Sequence, residues 1–109
     1  MTLTFLLDIP SSLNKSLLIT LIYTREDYII VTREAISKRI IGLCKANSLS
    51  VYGLSIASAV PESTIRSILN GTSNNPGVIT IKKLCDGFNI TLYEFFMTDD
   101  FNNLEQEII

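Results

Sequence analysis

Two residues, Ala59-Val60, separate two short helical patterns in the middle of this chain. The first pattern begins after Ser50, a natural N-cap residue, and runs from Val51 to about Ser58. The second begins with Pro61, which suits the first position of a helix, and ends at Asn70-Gly71. A link this short excludes antiparallel packing, so the second helix must cross the first at a large angle.

Helical patterns also flank this pair on both sides. The preceding pattern has an apolar stripe at i, i+4, i+7 and i+8. The helical pattern that follows the pair comes after a polar loop, and Gly87 and Asn89 are expected to end it. A capping box at Thr91 and Glu94 then begins a fifth helix. The apolar stripes comprise Ile36, Ile40, Leu43, Cys44, Ile65, Ile68, Leu69, Ile81, Leu84, Cys85 and Phe88. With no alternating strand pattern, the sequence predicts an all-α fold, a compact five-helix bundle.

We divide the chain into three parts. Residues 31–97 form the helical domain, and residues 98–109 form an acidic C-terminal tail that we expect to be solvated or frayed. Residues 1–30 form a poorly defined leader that lacks the features of a membrane span or a secretory signal. The leader is either an amphipathic segment laid on the domain or a non-native translation upstream of a true start at Val31. The second reading arises because Arg25-Glu26-Asp27 can be encoded by a purine-rich ribosome-binding sequence.

The composition narrows the possible functions. The 109 residues include no His and two Cys, so histidine chemistry, a disulfide framework and a four-ligand zinc site are excluded. Both thiols lie on inward stripes and are expected to be buried and reduced, in the cytoplasm. There is also no Gly-rich phosphate loop and no plausible carboxylate pair. We therefore predict no enzyme activity, no catalytic residue, no cofactor, no metal site, no small-molecule ligand and no membrane partner.

The charge distribution keeps nucleic acid open as a partner. The formal net charge is -2, which by itself argues against DNA. However, residues 31–96 hold seven Lys and Arg residues against four Asp and Glu residues. The middle of the chain is therefore mildly basic, and the acidic balance comes from the ends.

An ordered set of short segments extends from about Ile36 to Phe96. It consists of Leu49-Ser50, Leu54, Val60-Pro61-Glu62-Ser63-Thr64-Ile65, Ile68-Leu69-Asn70-Gly71, Asn75-Pro76, Thr80-Ile81, Lys83-Leu84-Cys85 and Ile90-Thr91-Leu92-Tyr93-Glu94-Phe95-Phe96. This set resembles the lambda-repressor and Cro-like, or XRE-like, helix-turn-helix regulators of bacteria. The resemblance implies a sequence-specific transcriptional regulator, a repressor, that binds double-stranded DNA with its third helix in the major groove.

The resemblance also implies which residues meet the DNA. Glu62, Ser63 and Ser67 would face base edges, although Glu62 could instead serve only the dipole of its own helix. Arg66 and Asn70 would lie near the DNA backbone, helped by the N–H groups at the start of the second helix. The predicted DNA-binding positions are Val51, Tyr52, Pro61, Glu62, Ser63, Thr64, Arg66, Ser67 and Asn70.

The chain departs from the family pattern at three places, and its few cations predict modest affinity for a single copy. Val51 stands where the family often has Gln, Ala59 where it usually has Gly, and the loop at 72–75 is neutral rather than basic. A positive φ at Ala59 would cost about 1 kcal/mol. Each cation that neutralises a phosphate adds to the affinity for DNA. A homodimer formed through the fifth helix and the tail would bring two copies to the DNA and so raise that affinity. Its apolar contact residues would be Leu92, Tyr93, Phe95, Phe96, Phe101, Leu104, Ile108 and Ile109.

The scarcity of basic residues favours one alternative function. The chain could keep the helix-turn-helix fold yet act as a protein-interaction module of a phage or mobile element, with little DNA binding. Salt-dependent binding to duplex DNA would separate the two functions.

Overall fold

The computed structural model of the chain describes residues 30–108. These residues form six helices, which are α1 Thr32–Ala46, α2 Val51–Ser58, α3 Glu62–Leu69, α4 Val78–Phe88, α5 Leu92–Phe96 and α6 Asp99–Asn102. No strand occurs within this range, and an isolated parallel bridge joins Ile30 to Leu104. The all-α prediction is confirmed, whereas the predicted number of five helices is too low by one. Of the predicted leader at 1–30, only Ile30 lies inside the described residues.

The helix ends follow the capping residues closely. The Ser50 hydroxyl accepts a hydrogen bond from the Gly53 N–H at 2.9 Å, which confirms Ser50 as the N-cap of α2. The capping box of α5 is also present, with Thr91 and Glu94 each accepting from the other's backbone N–H at 3.0 Å. Pro61 was expected to be the first residue of α3 but is its N-cap, with ψ at 141°. Proline fixes only φ, so it fits either position.

The core lies where the short helices cross. α2 packs against α4 and α3, α1 packs against α3, and α5 packs against α4. Within residues 30–108, no single helix combines the length and the apolar composition of a membrane span. Taken together, α1 and α2 have the length and the apolar composition of such a span, but the two helices are bent by 95° relative to each other. The largest fully buried side chains are Phe95, Ile40, Leu54, Ile65, Leu84 and Cys85.

The helices α2 and α4 approach each other closely at Gly87. A Cβ atom added at Gly87 would lie 2.9 Å from the Cβ of Ser58 and 3.1 Å from its Cα. Gly87 was expected to close the fourth helix, which is wrong, because α4 continues through Phe88. Asn89 then ends the helix in the left-handed conformation, with φ at 59°. Gly87 therefore allows α2 and α4 to pack closely and does not end α4.

The tail packs on the helical body through its apolar residues, whereas the tail acids Asp99, Glu105 and Glu107 are exposed to solvent, as expected. The Phe101 ring in α6 contacts those of Phe95 and Phe96, with centroid distances of 6.1 Å and 4.9 Å. Beyond α6, the Glu105 N–H donates to the Ile30 carbonyl at 3.1 Å. Phe95, which was predicted to be available for a dimer contact, is fully buried, because the Phe101 ring covers one side of it. The sequence did not predict α6 because four residues are too few to show a helical period.

Candidate nucleic-acid interface

A tight turn between α2 and α3 positions the predicted recognition surface. Ala59 is left-handed, with φ at 59° and ψ at 24°, and Val60 after it is buried. The buried Ser58 hydroxyl donates to the Leu54 carbonyl at 2.7 Å and accepts from the Val60 N–H at 3.2 Å. Ser58 thus links the end of α2 to the turn, and it was not among the predicted site residues. Its signal is a serine four residues after a core leucine, at the last helical position.

α3 has one apolar and one polar face. Ile65 and Ile68 are buried in the core. The opposite face presents Glu62, Ser63, Arg66, Ser67 and Asn70, because positions three and four apart share one side of a helix. Ser63, Arg66 and Asn70 are exposed, and Glu62 and Ser67 are half-buried. Of the neighbouring predicted positions, Thr64 is half-buried and Pro61 is exposed at the turn. Five of the predicted DNA-binding positions therefore share one surface, which we call the outer face of α3.

An ion pair occupies the centre of this outer face. The Arg66 Nε donates to Glu62 Oε2 at 2.8 Å, and Arg66 Nη2 lies 2.8 Å from the same oxygen. The two side chains are 60% and 38% exposed, respectively, so water screens the pair and its contribution to stability is about 0.3–0.5 kcal/mol. Glu62 also lies in the first turn of α3, where a carboxylate favours the helix dipole. The pair gives this surface no net charge.

The remaining side chains of the outer face divide into donors and acceptors. The Ser67 hydroxyl donates to the Ser63 carbonyl at 2.9 Å, which leaves its oxygen free to accept. The Asn70 Oδ1 accepts from the Thr72 N–H at 2.9 Å, which leaves its amide N–H groups free to donate. Exposed Ser63 can do either. The surface can therefore form hydrogen bonds of both senses to base edges or phosphates.

The start of α2 matches the prediction only in part. Tyr52 is 63% exposed and can reach a partner. Val51 is half-buried and packs against the core, so its side chain is less available than predicted. The reason is that Val51 shares a side of α2 with Leu54 and Ser58, three and seven positions further on.

Several cations are engaged within the protein. The Arg39 guanidinium donates to the Phe95 and Glu94 carbonyls, each at 2.8 Å, and so satisfies the end of α5. Lys38 pairs with Asp100 at 3.6 Å, and Lys82 pairs with Asp86. Within residues 30–108, the cations that form no ion pair and no side-chain hydrogen bond are Arg33, Lys45 and Lys83.

The two cysteines lie among apolar side chains, as predicted. Cys85 is buried and Cys44 is half-buried against the core. Burial raises the pKa of both thiols above the ordinary cysteine value, which disfavours the reactive thiolate at neutral pH. Neither thiol belongs to the outer face of α3.

Comparison of the chain with family models, with curated proteins and with solved structures found no match. The likeness to XRE-like regulators therefore stays a prediction from the sequence.

Proposed function

We propose that α2 and α3 form a helix-turn-helix and that this chain is a cytoplasmic transcriptional regulator that binds double-stranded DNA sequence-specifically. One observation carries the proposal. Within residues 30–108, the hydrogen bonds and ion pair of the side chains on the outer face of α3 stay inside α3 or the turn that follows it. No side chain of another described helix bonds to this polar surface, while the opposite apolar face is buried. A helix whose polar face is exposed in this way suits insertion into the major groove.

In the proposed complex the start of α3 faces the bases. Ser63 and Ser67 would bond to base edges, and Glu62 would accept from a cytosine amino group. Arg66 would exchange its carboxylate partner for a phosphate or a guanine. The exposed ion pair is weak, so its loss costs little beside a charge-assisted contact to DNA, which is about twice as strong as a neutral hydrogen bond.

Two observations favour a second candidate function, a protein-interaction module. The Glu62–Arg66 pair neutralises the outer face of α3, whereas DNA binding draws on positive charge. In addition, Tyr52 and Ile56 lie four residues apart on α2 and are 63% and 67% exposed. An exposed apolar pair beside a neutral polar helix would suit a protein surface.

Selection of bound duplexes from a random library separates the two functions. The full chain should enrich a defined sequence, and anisotropy titrations of that duplex should weaken as salt rises. Scrambled duplexes of the same composition are the control. Recovery of no consensus, together with no salt-dependent binding at low salt, would reject the DNA regulator and leave the protein-interaction module.

Arg66→Ala tests the centre of the outer face. Stability should change by no more than about 0.5 kcal/mol, because the lost ion pair is exposed. If Arg66 binds a phosphate, affinity should fall alike for all duplexes and the salt slope should fall by about one unit. If it reads guanine, specificity should relax at one position, at a cost of about 1–3 kcal/mol. A folded Arg66→Ala protein with unchanged affinity and slope would contradict both roles.

Glu62→Gln is the matched variant on the other side of the ion pair. It frees Arg66 and removes a negative charge, so non-specific binding should strengthen. If Glu62 accepts from cytosine, affinity for the selected duplex should fall at the same time. An increase for all duplexes alike would show that Glu62 serves only the helix and the ion pair.

A further inference from the structure

An open groove lies between the start of α1 and the end of α3. Its volume is about 500 Å³, and its polar lining comprises Arg33, Glu34, Ser37 and Lys38 from α1 together with Asn70. The Ser37 hydroxyl donates to the Leu69 carbonyl at 3.2 Å, which ties the two helices together beside the groove. The groove therefore adjoins the outer face of α3 through Asn70.

A second groove, of about 420 Å³, meets the first at Arg33, which lines both. Its lining includes Asn74 and Asn75 from the loop after α3, and Glu107 from the tail. Arg33 thus lies between the end of the predicted recognition helix and the loop that follows it. In the sequence this position is distant from both, and it was not among the predicted DNA-binding residues.

The positive charge of Arg33 is not neutralised by an ion pair within residues 30–108. Arg66 pairs with Glu62 on α3, and the loop at 72–75 carries no charge. Arg33, Lys45 and Lys83 form no ion pair within residues 30–108. Of these three, Arg33 lines the groove that contains Asn70, and the other two do not.

We propose that Arg33 binds a phosphate of the DNA strand that borders α3, with the Asn70 amide as a second donor. The proposal rests on the DNA-binding function proposed above and names a contact that neither the sequence pattern nor the family likeness assigns. A guanidinium offers several N–H donors in a planar fork that fits phosphate oxygens. Arg33 would supply from α1 the positive charge that the neutral loop lacks.

Removal of the charge on Glu107 should have the opposite effect on DNA binding to removal of the charge on Arg33. Its carboxylate lines the second groove beside Arg33 and accepts from the Thr32 hydroxyl at 2.8 Å. A negative charge at this position repels a phosphate bound by Arg33. Glu107→Gln keeps an oxygen that can accept from Thr32 but removes the charge, so it should tighten binding.

The test compares three full-length variants, Arg33→Gln, Glu107→Gln and Lys83→Gln, on the selected duplex and on unrelated duplexes at several salt concentrations. Lys83 is the control, because it is an exposed cation without an ion pair in the described range and lines neither groove. Arg33→Gln should weaken binding to all duplexes alike and lower the salt slope by about one unit. Lys83→Gln should leave the slope unchanged.

The outcomes distinguish this proposal from the function on which it rests. If the unmodified chain binds DNA but Arg33→Gln has the same salt slope as Lys83→Gln, the phosphate contact is wrong and the DNA-binding function stands. If Arg33→Gln relaxes specificity at one base position, Arg33 reads a base instead, which also overturns the phosphate contact. If the unmodified chain binds no duplex, both proposals fail. Circular dichroism should show that each variant keeps its helical content, since all three positions are exposed.

Discussion

Ala59 has a backbone conformation that disfavours a residue with a β-carbon. Its φ of 59° and ψ of 24° place it in the left-handed region, where glycine avoids the clash of Cβ with the backbone. Relief of this strain gains about 1–2 kcal/mol. The larger entropy of glycine in the unfolded chain offsets about 0.4–1 kcal/mol of it, so Ala59→Gly should stabilise the protein by about 0.5–1 kcal/mol. Urea denaturation should show a higher midpoint with an unchanged m-value.

Ala57 supplies the matched control for this substitution. It is exposed within α2, two residues earlier, where the backbone is right-handed. Ala57→Gly should lower stability by about 0.5–1 kcal/mol, since glycine is a poor helix former. If both variants lost stability, the strain assigned to Ala59 would be wrong.

At the scale of the helices, the contact between α2 and α4 depends on the absence of a side chain at Gly87. Gly87→Ala would bring a Cβ within 2.9 Å of the Ser58 Cβ and 3.1 Å of the Ser58 Cα and N. Overpacking of this kind costs about 1–3 kcal/mol and outweighs the better helix propensity of alanine. Thermal unfolding should therefore occur at a lower temperature in Gly87→Ala.

Gly42→Ala on α1 separates packing from propensity. A Cβ added at Gly42 meets no atom within 4 Å, and the residue is exposed. This variant should gain up to about 1 kcal/mol from helix propensity alone. An equal gain in Gly87→Ala would mean that α2 and α4 do not depend on the close approach.

The ends of the helices were predictable from the sequence where a capping residue acts on neighbouring backbone groups. Ser50, Thr91 and Asn89 act on backbone groups within a few residues of themselves, so their roles could be predicted without the fold. Gly87 could not be assigned correctly, because its function is to accommodate a residue of another helix, 29 positions earlier in the chain.

The same limit applies to the candidate site. The outer face of α3 follows from the helical period, so its members were predictable. The groove around Arg33 was not, because three separate segments form it.

At the scale of the whole molecule, an apolar patch remains at the end of α5. Tyr93 and Met97 lie four positions apart and are 68% and 59% exposed, and Phe96 lies between them at 38%. We propose a two-fold contact through this patch. Sedimentation equilibrium should then give a mass above that of one chain at high concentration. Of the other residues predicted for the contact, Phe95 is buried, Ile108 is exposed and Ile109 lies outside the described residues. The remaining three are half-buried, namely Leu92, Phe101 and Leu104.

Substitutions at the patch should dissociate the dimer without unfolding the protein. Tyr93→Glu combined with Met97→Glu places charge on exposed positions only, so helical content should persist while the mass falls to that of one chain. Ile79→Glu is the control, because Ile79 is equally exposed, at 67%, but lies on α4. A single-chain mass for the unmodified protein at high concentration, with and without DNA, would contradict the two-fold contact.

The contacts between Ile30 or Thr32 and the tail also set an order of events during synthesis. The Thr32 hydroxyl bonds to Glu107, 75 residues later, and Ile30 bonds to Glu105. A ribosome releases the chain from the N-terminus, so α1 can form as a helix long before its partners in the tail have left the exit tunnel. The helical body therefore closes at this end only after Glu105 and Glu107 have emerged from the ribosome, however early the turn between α2 and α3 is made.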